Sequence, residues 1–288
     1  MGSPDATAWP RLTLEEAEAL LCAPGQRFEM ETVSIRGIPT RVWKSAPPDL
    51  RALVEISRMH GDRTATILED DRVSFEAQYR AIAALAGVLA ERGIGKGDRV
   101  AMAMRNLPEF VTAFFAITTL GAIAVPLNAW WTGPELDYGL RDSGAKLLIA
   151  DAERWARIAP SREGLPDLKN VIVTRADAVP EGTEALEALI GRPNDWAALP
   201  DLSLPETPLA SDDDATIFYT SGTTGAPKGA LGTHRNLATN ILSSGYNAAR
   251  ACLRRGETPP EPQPKVFLTV IPLFHVTACS ATLMGAMA

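Results

Sequence analysis

The sequence predicts an α/β protein of mainly parallel sheets flanked by helices and divided into two units, on three observations. Short apolar runs of strand length alternate with stretches whose apolar residues recur at helical spacing. Joining strands through helices is the connection that parallel strands require. A stretch rich in Pro, Glu and Asp, Asp177 to Asp214, separates one such block from the next.

Residues 1–48 read as a lead-in without assigned chemistry, with a short helix from Leu12 to Leu21 started by Thr13, then breaks at Pro24-Gly25 and Pro47-Pro48. A first α/β unit is expected over 49–210. It opens with a helix from Leu50 to about His60, followed by a hairpin of Thr64 to Leu68 and Val73 to Phe75 around Glu69-Asp70-Asp71. Ile82, Leu85, Ala86 and Leu89 mark a helix that stops at Gly93, and Val100 to Met104 is a strand. Pro108 opens the next helix, with Phe110, Phe114, Ile117 and Leu120 in register and Gly121 at its end. Ile123 to Leu127, Leu147 to Ala150 and Val171 to Thr174 continue as strands. A second unit is expected over 211–288: strand Thr216 to Tyr219, a glycine-rich loop, a helix from Asn236 to about Ala249 capped by Thr233 or Asn236, and a buried strand from Val266 to Ile271. The chain stops within the apolar stretch Cys279 to Ala288, which reads as an incomplete second unit.

Composition narrows the function. Lys and Arg number 28 against 35 Asp and Glu, with no basic stripe to follow a nucleic-acid backbone, so nucleic acid is not an expected partner. Cys22, Cys252 and Cys279 form no C-x-x-C pair and leave an odd thiol, which suits a reducing cytoplasm. The longest membrane candidate, Phe110 to Pro126, is broken by Thr112, Thr118, Thr119 and Gly121, and falls short of the ~18 apolar residues a span requires. No transmembrane segment is expected, and a homodimer is compatible with a sequence that does not fix the oligomeric state.

The chemistry concentrates in Tyr219-Thr220-Ser221-Gly222-Thr223-Thr224-Gly225-Ala226-Pro227-Lys228-Gly229. Glycines let backbone N–H groups approach an anion closely, the hydroxyls of Thr220, Ser221, Thr223 and Thr224 are adjustable donors, and Lys228 adds a mobile positive charge. Together they make a cradle for a triphosphate. Charge-assisted hydrogen bonds contribute roughly 1.5–3 kcal/mol each, so loss of two would weaken nucleotide binding by several orders of magnitude. This is not the G-x-x-x-x-G-K-[ST] P-loop, since Pro227 and Gly229 flank the lysine, and an ordinary P-loop ATPase is disfavoured. Gly93-Ile94-Gly95-Lys96-Gly97 precedes a strand instead of following one and reads as a turn. A purely structural glycine turn is the competing reading of the main loop.

Several other residues carry weaker signals. His275 and Cys279 are spaced to share a helix face, which raises a thiol catalyst or a metal pair, yet no third ligand or orienting partner is visible and no metal residue is assigned. Asp212-Asp213-Asp214 reads as a solvated start of a strand, because consecutive carboxylates point different ways. His234 is expected at the strand-to-helix corner and His60 at the surface. Trp130 and Trp131 read as packing residues more than as an acyl pocket.

The loop, with the stretches Gly93 to Met104, Leu120 to Lys146, Ile217 to Leu237 and Pro272 to Ala278 (PLFHVTA), resembles the adenylate-forming enzymes, a family that includes acyl-CoA synthetases, aryl-CoA ligases, luciferases and peptide-synthetase adenylation domains. The likeness runs from about Leu50 to Ala288. About nine positions are fixed in the loop alone, a chance match on the order of 10⁻¹⁰ per site. The resemblance implies ATP, Mg²⁺ and coenzyme A, with a small carboxylic acid activated as an acyl-adenylate and passed to the coenzyme A thiol. It implies that Thr220, Ser221, Gly222, Thr223, Thr224, Gly225 and Lys228 grip the β- and γ-phosphates. It also implies that His275 lies near the acyl carboxylate and α-phosphate, which with Lys228 makes the catalytic pair; a packed histidine is the alternative. A fatty or aryl acid is the expected substrate. The family's later motifs and its C-terminal lid domain do not appear in this sequence, so weak nucleotide binding without full activity is expected of this chain. An amino-acid adenylation module and a non-catalytic nucleotide-binding fragment are the alternatives.

Overall fold

A computed structural model of the chain describes residues 9–220, 225–259, 263 and 266–288. In chain order the elements begin with α1 (Leu14–Leu21), β1 (Met30–Ile35), β2 (Ile38–Trp43), α2 (Leu50–Arg58), β3 (Thr64–Leu68) and β4 (Asp71–Ser74). There follow α3 (Phe75–Glu91), β5 (Arg99–Ala103), α4 (Pro108–Thr119), β6 (Ile123–Pro126), α5 (Gly133–Ser143), β7 (Leu147–Asp151) and α6 (Ala152–Ile158). The last are β8 (Asn170–Thr174), β9 (Glu184–Ala185), α7 (Leu186–Ile190), β10 (Asp214–Thr220), β11 (Lys228–Thr233), α8 (His234–Arg254) and α9 (Met284–Met287).

Seven strands form one sheet in the order β11-β10-β6-β5-β7-β8-β9. Every neighbouring pair from β10 to β9 is parallel, and only the edge strand β11 runs antiparallel, to β10. The alternation of strand and helix signals therefore delivers the expected mainly parallel sheet, and β10 joins the strands of the preceding block directly through Thr216 beside Ala124.

Both faces of the sheet are covered, which explains why its strands read as continuous apolar runs. Val100 and Met102 of β5, with Leu147 and Ile149 of β7, pack with α2, α3 and α4, while Ala101, Ala103, Leu148 and Ala150 pack with α5 and α6 on the other face. All twelve residues of α4 are buried. Its threonines are tolerated there because each hydroxyl bonds a carbonyl of the preceding turn, as Thr118 does to Phe114 at 3.0 Å. Pro108 at the first turn costs no hydrogen bond.

Local signals hold at most boundaries. Thr13 and Glu16 form a capping box on α1, Ser74 caps α3, and Thr233 caps α8. The β3–β4 hairpin is present, with Asp71 paired to Leu68 as part of the strand and Phe75 already starting α3. The lead-in contains more than its helix: β1 and β2 form a hairpin whose Phe28 and Trp43 pack on Tyr246 of α8. The acidic stretch 177–214 is likewise a packed crossing, with Leu186, Ile190 and Trp196 buried in the core shared with α3.

One expected strand is absent. Val266 to Ile271 is extended but outside every sheet, with Val266 95%, Leu268 88% and Val270 77% exposed. An apolar run becomes a strand only when a neighbour supplies its ladder, and among the described residues none pairs with it.

His234 sits at the corner between β11 and α8, fully buried, and its Nδ1 accepts the backbone N–H of Leu50 at 3.2 Å, so the proton lies on Nε2, which has no partner. Burial lowers its pKa, opposed by Asp49 and Asp213 and assisted by Lys96 and Arg51. The unfolded chain thus takes up a proton before the folded one does. Stability from this group is complete above the ordinary imidazole value of about 6.5 and declines as pH falls below it. A urea midpoint that is flat from pH 8 to 7 and drops between pH 6.5 and 5 is the expected result. His234→Leu should remove that part of the slope and cost about 1–3 kcal/mol at pH 8, through the unpartnered Leu50 N–H.

Candidate functional site

The carboxyl ends of β10, β6, β5 and β7 lie side by side along one edge of the sheet. In open α/β sheets this edge is where ligands bind. Three segments named from the sequence meet this edge: the glycine-rich loop after β10, Trp130-Trp131 after β6, and the His275 segment, tied to Asn106 after β5.

The loop connects β10 to β11. The register pairs Tyr219 with Gly229 and Thr220 with Lys228, which places Lys228 opposite the last residue of β10. Ser221, Gly222, Thr223 and Thr224 lie outside the described residues. At the tip, Gly225 has φ 136°, a conformation that side chains rarely adopt. Lys228 and Thr220 are exposed, and the Lys228 ammonium makes no ion pair among the described residues. The Thr220 hydroxyl approaches the Lys228 carbonyl at 3.4 Å.

The loop stem rests on α5. Tyr138 donates its hydroxyl hydrogen bond to the Pro227 carbonyl at 3.0 Å, and the Tyr219 hydroxyl donates to Asp142 at 2.7 Å. Burial, reinforced by Asp142, pushes the Tyr219 phenol well above its usual range, so it stays neutral and a donor. Trp131 packs edge-on against the Tyr219 ring at 5.6 Å. Gly139 makes room for it: a Cβ there would lie 3.0 Å from the indole of Trp131 and 2.8 Å from Leu127.

The turn carrying Trp130 and Trp131 is fixed by arginines of α6. Arg154, buried, donates Nε to the Ala129 carbonyl at 2.9 Å and pairs with buried Asp151 at 2.9 Å. Arg157 donates to the Trp131 carbonyl at 2.9 Å. Asp151 also accepts the backbone N–H groups of Arg154 and Arg105, at 2.9 and 3.1 Å, so one carboxylate ties the ends of β5 and β7 to the start of α6. Asp151 is not among the residues singled out from the sequence; it reads there as an ordinary helix cap with an arginine three residues on, and nothing local signals that the pair is buried.

His275 follows the exposed run 266–271. That segment is held by Asn106, whose amide donates to the carbonyls of Thr269 and Ile271 at 3.2 and 3.0 Å and accepts the Leu273 N–H at 2.7 Å. Phe274, next to His275, meets the edge of Trp130 at 5.3 Å. Trp130 is 64% exposed, so its role is a contact at the sheet edge and not core packing. The His275 ring is exposed, and its Nδ1 accepts the Thr277 N–H at 3.2 Å. Cys279 follows on the same turn but is buried, and burial pushes its thiol far above the usual range, so it supplies neither a nucleophile nor a thiolate ligand. The Asp212-Asp213-Asp214 carboxylates diverge as expected, to Arg235, Lys96 and Arg36. His60 is half-buried against Phe75.

The fold agrees with that of known proteins. The chain belongs to the AMP-binding enzyme family, whose description matches residues 53–288. Crotonobetaine/carnitine–CoA ligase of Salmonella paratyphi A is 32% identical over 238 residues, covering 80% of this chain and 43% of that protein. The Escherichia coli ligase of the same name is 31% identical over 236 residues, with the same shares. Among solved structures, the inhibitor-bound N-terminal domain of FACL13 from Mycobacterium tuberculosis is similar, with TM-score 0.66 and 27% identity over 83% of this chain and 55% of that one. The anthranilate CoA ligase AuaEII in complex with anthranoyl-AMP has TM-score 0.66 and 25% identity over 82% of this chain and 43% of that one. The chain thus spans 43% of the length of the curated relatives it matches.

Replacing Arg154 by Met leaves the Asp151 carboxylate buried without its countercharge, which is expected to cost about 3–5 kcal/mol. Urea unfolding measures that loss, and near-ultraviolet circular dichroism should show the tryptophan signals weakening before the far-ultraviolet signal does.

Proposed function

We propose that this chain carries the phosphate-gripping part of an ATP-dependent enzyme that activates a carboxylic acid, a fatty or aryl acid, as an acyl-adenylate and passes it to coenzyme A. The observation that carries the reading is the loop itself: a glycine- and hydroxyl-rich sequence joining two antiparallel strands, with a lysine at its base that makes no ion pair among the described residues, at the carboxyl end of a parallel strand. Family membership and the CoA ligases among its relatives support the same chemistry.

In this reading Thr220, Ser221, Gly222, Thr223, Thr224, Gly225 and Lys228 hold the β- and γ-phosphates through backbone N–H groups, hydroxyls and the ammonium group. A carboxylate oxygen attacks the α-phosphorus, the bond to the bridging oxygen of the β-phosphate breaks, and pyrophosphate leaves. Charge grows on that leaving group, so the donors already aimed at it stabilise the transition state. His275 donates a hydrogen bond to the carboxylate or the α-phosphate. The thiol of coenzyme A then attacks the mixed anhydride and AMP departs.

In this reading Mg²⁺ arrives on the nucleotide phosphates, as it commonly does at phosphate-transfer sites. Bound there, it would neutralise part of the developing pyrophosphate charge. The division into a lead-in (1–48), a first unit (49–210) and a second unit (211–288) belongs to the proposal, with the second unit contributing β10 and β11 to the sheet of the first. A cytoplasmic setting is supported by three free cysteines and, among the described residues, by no helix long and apolar enough to cross a membrane.

Calorimetric titration of the chain with Mg²⁺ and ATP tests the loop. Lys228→Ala is expected to weaken binding about 10- to 100-fold, the equivalent of one charge-assisted contact. Unchanged affinity in that variant would remove the loop from the assignment. Pyrophosphate exchange against a panel of acids separates the chemistries, since exchange with amino acids alone would favour an amino-acid adenylation module.

A further inference from the structure

We infer that Trp130 and Trp131 are positioning residues that hold the phosphate loop and the His275 segment in one register. The inference rests on the functional reading above but concerns residues to which that reading gives no role. Two consecutive indoles reach in two directions from one turn. Trp131 meets Tyr219 at the stem of the loop, and Trp130 meets Phe274 beside His275.

The turn between them is poorly placed to yield. Arg154 and Arg157 donate to the carbonyls of Ala129 and Trp131, and Asn128 accepts the Trp130 N–H at 2.9 Å through its side chain and the Trp131 N–H at 3.0 Å through its carbonyl. Behind Trp131, Gly139 and Leu127 leave no slack. A displacement of Tyr219 on filling the loop therefore passes through a rigid pair of rings to Phe274. Edge-to-face aromatic contacts resist such sliding because their geometry is specific. The His275 segment pairs with no strand among the described residues; Asn106 and buried Leu273 hold it before the imidazole, buried Ala278 and Cys279 hold it after, and the Trp130 contact ties it to the turn after β6.

The experiment uses the chain labelled with 5-fluorotryptophan, its six indole signals assigned by single Trp→Phe changes, and titrated with Mg²⁺ and inorganic tripolyphosphate. The Trp131 and Trp130 signals should move together with one saturation curve. In Trp131→Leu the Trp130 response should vanish while tripolyphosphate affinity by calorimetry stays within about threefold, and Trp131→Phe should restore it, an outcome that simple loss of packing does not produce. A Trp131 signal that saturates while Trp130 stays still would overturn the inference and leave the functional reading intact. Absence of tripolyphosphate binding would overturn the reading of the loop itself. In enzyme competent for pyrophosphate exchange, Trp130→Leu should lower kcat about 10- to 100-fold with little change in KM for ATP, as misplacement of a reacting group by about an ångström does. Trp130→Phe should recover most of it. If His275→Ala slows exchange and Trp130→Leu does not, the positioning role is wrong.

Discussion

The buried pair of Asp151 and Arg154 is the constraint on which the functional edge depends. Taking two charges out of water costs several kcal/mol per ion, and the pair offsets this by direct contact and by further hydrogen bonds from both partners. Asp151 accepts from the Arg154 side chain and from two backbone N–H groups, while Arg154 spends its Nε on the Ala129 carbonyl. The gain is in geometry more than in stability: β5, β7, α6 and the turn after β6 are locked at the point where three parallel strands stop. Without that lock, the carboxyl edge would be three loose strand ends.

The same economy explains where the loop sits. A parallel strand in the middle of a sheet must leave through a crossover, so its exit is committed to a helix. β10 instead turns back into the antiparallel edge strand β11, so the segment between them is not committed to a crossover. Tyr219 and Tyr138 hold the stem on α5 by hydroxyl bonds, so both ends of the loop are anchored. The Lys228 ammonium makes no ion pair among the described residues, and the Asp142 carboxylate at the loop stem is already engaged by Tyr219.

Much of this was legible in the residues, for physical reasons that differ from element to element. A sheet covered on both faces writes itself as apolar runs, so β5, β6, β7, β8 and β10 were visible; capped or proline-started helices announced α1, α4 and α8, and apolar spacing announced α3. The β1–β2 hairpin was hidden because its turn uses Arg36 and Gly37, both at positive φ, where an asparagine would have given the signal. β11 was hidden because Lys228 to Thr233 carries two glycines and is mostly exposed, with no apolar face to mark a strand. The site was legible as a motif, down to the lysine; what positions it was not, since the Trp131–Tyr219 contact joins residues distant in sequence, and the i,i+3 spacing of Asp151 and Arg154 looks the same whether the pair is exposed or buried.

The run Val266 to Ile271 shows the limit of composition most sharply. Its β-branched and apolar residues fit a strand as well as those of β8 do, yet β8 has neighbours on both sides and this segment has none among the described residues. Propensity describes a fit to a pleated surface and does not create one. Asn106 takes the place of a ladder: two amide donors and one acceptor on a single side chain reproduce, for Thr269, Ile271 and Leu273, the bonds a neighbouring strand would have made. A strand would fix the segment along its whole length, whereas one side chain fixes it at a point. The direction in which the chain then carries His275 is set between buried Leu273 and buried Ala278 and Cys279, and Trp130 against Phe274 is the contact that ties that direction to the turn after β6.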